Sequence, residues 1–210
     1  MTGSRWYAVN DRPVAVVPTA DGGADCLAFD FATGEMLPDR AYFAYVTPGS
    51  GKDVDALTEA EFEARLTACR AEAGASAVRQ IRDWAHRLIT AAGSAADVTT
   101  ALGLQGTGLR PDSVTVDPLP PGYRVITINS EPGRVSVELR PAGRLLTRPL
   151  LEAEFGRARE WPIFPDSGDE GHLEFCVAGP DGSGRRPVSI RIRIRRAAAA
   201  VIDLRPSGPV

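Results

Sequence analysis

The stretch PVSIRIRIRR constrains the fold more than any other. In it Val188, Ile190, Ile192 and Ile194 alternate with Ser189, Arg191, Arg193 and Arg195 over four full periods. Successive side chains on a strand point to opposite faces, so this segment reads as a β-strand with one apolar and one cationic face. HLEFCVA lies upstream of it across the turn-rich GPDGSGRR, and an antiparallel hairpin is the natural pairing. If Ala178 faces Pro187, then Cys176 faces Ser189, Glu174 faces Arg191 and His172 faces Arg193. On the other side Leu173, Phe175 and Val177 meet Ile192, Ile190 and Val188 in a continuous apolar layer.

That register bears on the one row with chemical potential. His172, Glu174 and Cys176 share a strand face, and His172 is one of only two histidines in the chain. A cysteine nucleophile needs its base within about 3 Å, whereas same-face residues i and i+4 on a strand stand roughly 13 Å apart. His172 therefore does not activate Cys176, and joint metal ligation fails on the same distance. Glu174 gains an arginine across the sheet, worth roughly 0.2–1 kcal/mol. The row is expected to be the wet side of a sheet. It becomes chemistry only if His86 or a distant carboxylate converges on it.

Other reactive signatures are missing from the sequence. It has no G-x-S-x-G elbow, H-E-x-x-H pair, Walker sequence or dinucleotide fingerprint after a strand. GLQGTGLRPD is glycine-rich and is expected to be a loop, but it lacks the lysine and following helix of a phosphate loop. Cys26, Cys69 and Cys176 are odd in number and lack CxxC spacing, which argues against a disulfide framework and a zinc site. Asp166, Asp169 and Glu170 have the superficial look of a calcium loop without its fixed alternate ligands, and such a loop is ordinarily just solvated. No cofactor or metal is expected.

The rest of the chain reads as α+β. WYAV, PVAVV, DCLAFDF and AYFAYV are expected as strands of a small β-meander, broken at DGG and TGE. Thr58 and Glu61 form a T-x-x-E capping box with Leu57 and Phe62 placed as a hydrophobic staple. The helix they start carries Phe62, Leu66, Cys69 and Ala73 on one stripe and is expected to stop at Gly74. A second helix, capped by Ser76, should run to about Ala92 with Val78, Ile81, Ala85 and Leu88 inward and His86 in solvent. Ser94 and Asp97 cap a short third helix. SVTV, YRVITIN and RVSVELR follow as strands, and a helix of about two turns ends at Gly156. The expected architecture is a β-meander with its capped helix over residues 1–75. Residues 76–210 should form an antiparallel sheet of about five strands packed by two to three helices.

Charge is unevenly placed. Residues 1–75 carry a net −6, residues 76–182 a net −3 and residues 183–210 a net +6, giving −3 for the chain. The positive end is concentrated in Arg185, Arg186, Arg191, Arg193, Arg195 and Arg196. Only Lys52 among the 24 basic residues is a lysine. With the abundant Ala, Gly and Pro, this reads as G+C-rich coding of the actinobacterial kind, so arginine excess alone does not mean nucleic-acid binding. Arg185, Arg186, Arg191, Arg193 and Arg195 are the candidate interaction residues. They could contact phosphates, but no aromatic residue alternates with them to stack bases and the protein is acidic overall. The alternative, favoured here, is that the stripe meets acids within the fold or on a partner protein.

The opening MTGSRWYAVN has no basic region followed by an apolar run of about 7–15 residues, and no segment approaches the roughly 20 apolar residues of a membrane span. A cytoplasmic location without membrane contact is expected.

RWYAVNDRPVAVV and DVDALTEAEFEARL resemble small actinobacterial proteins in which a β-meander precedes an acidic capped helix. LLEAEFGRAREWP, leading into paired strands, is similar to α+β immunity or accessory proteins encoded beside secreted toxins. The resemblance implies protein binding and carries over no contact residue. Three functions follow as expectations. The first is a non-enzymatic interaction protein of the immunity or accessory kind. The second is nucleic-acid binding through the arginine stripe. The third is an enzyme built from distant carboxylates such as Asp117, Glu138 or Glu174.

Overall fold

A computed structural model describes residues 3–47, 53–91, 94–110, 112–131, 134–162, 171–177, 188–195 and 198–206. Among these the chain is α+β, with four helices and two antiparallel sheets. It divides into two units, Met1–Ala73 and Gly74–Val210.

In the first unit β1 (Arg5–Val9), β2 (Arg12–Pro18), β3 (Ala24–Asp30) and β4 (Glu35–Pro38) form a meander, and β5 (Val54–Leu57) pairs with the free side of β1. Asn10 and Asp11 sit at φ 45° and 67°, the left-handed backbone that a two-residue hairpin requires. AYFAYV, expected as a strand, forms the one-turn helix α1 (Tyr42–Tyr45) instead. The reason is packing. A helical turn puts Tyr42, Tyr45 and Val46 on one side, and they cover Val9, Val14, Val16, Cys26 and Ala28. A second cluster joins Ala15 and Phe29 to Phe62 and Leu66 of the next helix.

That helix, α2 (Glu59–Thr90), begins at the expected capping box. The Glu61 N–H donates to Thr58 Oγ1 at 3.3 Å and the Thr58 N–H to Glu61 Oε2 at 2.8 Å. It does not stop at Gly74, and Ser76 caps nothing: one helix of 32 residues stands where two were expected. Glycine here answers a close approach rather than a chain reversal. A Cβ on Gly74 would lie 2.5 Å from Leu150 Cδ1 and 3.1 Å from the Leu145 carbonyl oxygen.

In the second unit the sheet contains β6 (Gly106–Arg110), β7 (Ser113–Val116), β8 (Tyr123–Glu131), β9 (Arg134–Pro141), β10 (Arg159–Trp161), β11 (Gly171–Val177), β12 (Val188–Arg195) and β13 (Ala198–Pro206). Their order is β10-β11-β12-β13-β9-β8-β7-β6. The sheet therefore has eight strands rather than about five. GLQGTGLRPD, expected as a loop, supplies β6. Its Gly106 lets the backbones meet, since a Cβ there would stand 2.5 Å from Val114 Cγ1 and 2.7 Å from the Thr115 carbonyl oxygen. The short β10 had too few residues to show a period, and the alanine run in β13 hid a central strand.

The second half of α2, α3 (Ala95–Ala101) and α4 (Arg148–Phe155) pack one face of this sheet. Ile81, Leu88, Val98 and Leu151 share a single buried cluster with Leu173, Phe175, Ile190, Ile192, Ile202 and Leu204. Ser94 and Asp97 form the capping box of α3, and Gly156 ends α4 at φ 83°. Among the described residues no helix is long and apolar enough to cross a membrane.

Candidate functional site

The β11–β12 hairpin has the register its alternation implies: His172 opposite Arg193, Glu174 opposite Arg191 and Cys176 opposite Ser189. Leu173, Phe175 and Val177 are buried, and Arg191, Arg193 and Arg195 are exposed on the other face. Arg185 and Arg186 lie outside the described residues, as do Arg196 and the acidic stretch with Asp166, Asp169 and Glu170.

Following the pairing outward, one row crosses the whole sheet on its open face. It runs Arg159, Glu174, Arg191, Asp203, Glu138, Thr127, Thr115 and Thr107. Cation and carboxylate alternate over the first four positions, and the far half carries threonines. Beside it a shorter row runs Trp161, His172, Arg193 and Val201.

Glu174 is the hub of the charged half. It accepts from Arg191 Nε at 2.9 Å, from Trp161 Nε1 at 2.9 Å and from Ser189 Oγ. Burial pushes its carboxyl up, but the hydrogen bonds from Ser189, Arg191 and Trp161, with the Arg191 charge, outweigh that and hold it below the ordinary glutamate value. Arg159 and Arg191 both stand over the Trp161 indole, 4.7 Å and 5.3 Å from the ring centroid. An aromatic side chain therefore does stand on the arginine face, contrary to the sequence expectation. Trp161 reaches it from β10, another strand, so alternation within β12 gave no sign of it.

Part of the stripe is paired within the fold. Arg191 pairs with Glu174 at 2.9 Å, and Arg205, which the sequence did not single out, pairs with Asp203. Arg193 has no hydrogen-bond or ion-pair partner among the described residues, and its cross-strand neighbours are His172 and Val201. Trp161, Pro162, His172, Arg191, Arg193, Val201, Asp203 and Arg205 line a shallow groove of about 530 Å³.

The residues proposed for chemistry are not brought together. His172 and Cys176 remain two pleats apart on β11, about 13 Å by strand geometry. Glu138 and Glu174 share a row but are three strands apart, about 14 Å, against roughly 5–9.5 Å for two carboxylates acting on one bond. Glu138 pairs with Arg140 at 2.8 Å. Asp117 is exposed just past β7 and joins neither. His86 is half-buried on α2. Burial pushes the thiols of Cys26 and Cys69 up, with Asp39 and Glu72 adding to it, away from the reactive thiolate. Among the described residues no group of three His, Cys, Asp or Glu is placed to hold a metal ion.

Comparison with protein-family models, with curated proteins and with solved structures returned no match.

Proposed function

We propose that this is a non-enzymatic, cytoplasmic interaction protein of the immunity or accessory type, which acts by holding a partner protein. The observation that carries this reading is the state of Glu174. A general base works best with a pKa near the operating pH and a free lone pair aimed at substrate. Glu174 instead accepts from three side chains and is held below its ordinary value, so it serves as a structural acceptor. The surface around it is a charged, grooved sheet face with a fixed tryptophan at its margin, the kind of anchor on which protein interfaces concentrate their energy.

The test is affinity purification of the tagged full chain after nuclease treatment. A protein recovered in stoichiometric amount, and remaining with the chain through size exclusion, is the expected result. Recovery of the chain alone overturns the reading. A toxin gene beside its own would name the partner.

One observation favours a second reading, nucleic-acid binding: Trp161 stands among Arg159, Arg191 and Arg193 on one face. Anisotropy titration of a labelled single strand decides it, because phosphate contacts weaken steeply as salt rises.

A further inference from the structure

Resting on the protein-binding reading, we propose that the groove on the open sheet face receives an acidic segment of the partner, seating a carboxylate at Arg193 and an apolar side chain against Trp161. Charge complementarity selects this occupant. Arg191 has acids on both neighbouring strands, Glu174 and Asp203, and Arg205 is paired with Asp203. Arg193 lies opposite His172 on one side and Val201 on the other, so the groove holds one guanidinium for which the described residues supply no carboxylate. An incoming Asp or Glu completes the alternation that the adjacent row already shows, and a guanidinium–carboxylate pair is the stronger class of hydrogen bond.

The apolar half of the site is fixed in advance. Trp161 is 39% exposed, yet its Nε1 donates to Glu174 and two guanidinium groups stand over its ring. Little side-chain freedom remains to be lost when a partner docks, which favours binding.

The same geometry weighs against a nucleic-acid occupant. A strand of phosphates leaving Arg193 along the sheet would meet Asp203 and Glu138. A peptide presents a single carboxylate and avoids both.

The experiment is fluorescence anisotropy on the full chain with three labelled probes: a short peptide with one Glu flanked by Leu and Phe, the same peptide with Gln for Glu, and an oligothymidylate. The acidic peptide is expected to bind, and the Gln peptide to bind about tenfold more weakly, the effect of losing one charge-assisted hydrogen bond. Arg193→Glu, which replaces attraction with repulsion, should lose more than that factor for the acidic peptide and recover binding to a peptide with Lys in place of Glu. Arg193→Gln, which removes the charge without reversing it, should fall between them. Circular dichroism confirms folding of both variants. Failure of the acidic peptide to bind at millimolar concentration, equal binding by wild type and Arg193→Glu, or tighter binding of the oligothymidylate overturns the proposal. A protein partner recovered equally by wild type and Arg193→Glu sinks the groove assignment and leaves protein binding standing, whereas recovery of no partner sinks both.

Discussion

On β12 the residues Val188, Ile190, Ile192 and Ile194 share a buried cluster with the helices, while Arg191, Arg193 and Arg195 stand exposed one position away. Both sets ride on the same backbone and the same ladder, so their difference isolates what side chains contribute. An aliphatic side chain of this size gains about 1.5–3 kcal/mol on full burial, whereas an exposed ion pair gains about 0.2–1 kcal/mol. The helix-packed face holds the fold together, and the open face is free to carry specificity. Ile192→Ala is the sharpest way to break that contrast. Ile192 is 1% exposed, and truncation should cost about 2–5 kcal/mol in urea unfolding. Arg191→Ala, its neighbour, should cost less than about 1 kcal/mol. Comparable losses at the two positions would mean the open face carries structural weight that the pairing does not account for.

A smaller effect is expected at the sheet's far edge, where faces matter less than backbone approach. In Gly106→Val the new Cβ would fall 2.5 Å from Val114 Cγ1 and 2.7 Å from the Thr115 carbonyl oxygen. The carbonyl belongs to the β7 backbone and cannot rotate away, so β6 must shift outward, at an overpacking cost of about 1–3 kcal/mol. Amide exchange should quicken in β6 while β12 keeps its protection. Uniform loss of protection would show that the edge and the centre unfold together.

These two sites also show what could be read from the amino-acid order. The facing of the β11–β12 side chains was legible because period-two alternation separates apolar from polar positions, and a slip by one residue would expose every apolar side chain. The caps at Thr58 and Ser94 were legible because capping is local chemistry within four residues. Gly74 and Gly106 were misread as a stop and a loop. A glycine required by a neighbouring backbone looks the same in sequence as one required by a turn, and the neighbours lie far along the chain. Trp161 was invisible for a related reason. Its place beside Glu174 and Arg191 depends on the pairing of β10 with β11, and β10 has only three residues. Sequence thus yielded Glu174, Arg191 and Arg193, and tertiary pairing supplied Arg159, Asp203, Arg205 and Trp161.

Glu174→Gln gives a smaller effect than either Ile192→Ala or Gly106→Val and links the two faces, because Glu174 sits on the open side yet only 15% of its side chain is exposed. Glutamine keeps one carbonyl acceptor but loses the charge, leaving Ser189, Arg191 and Trp161 to share what two carboxylate oxygens accepted. At neutral pH the loss should be about 1 kcal/mol. The sign of its pH dependence follows from the direction of the shift. The folded state holds this carboxyl below its ordinary value, so protons bind the unfolded chain more readily, and the stabilisation is complete above the unfolded value of about 4.3. It drains as the pH falls through the lower folded value, because wild type then becomes neutral at this position, as the variant always is. Urea unfolding of both proteins between neutral and acidic pH should therefore show a gap that closes on the acid side. Other carboxylates titrate alike in the two proteins and cancel from the difference. A gap that stays constant into acid would mean that Glu174 acts through shape and not charge, and the open face would then be held by packing, as the covered one is.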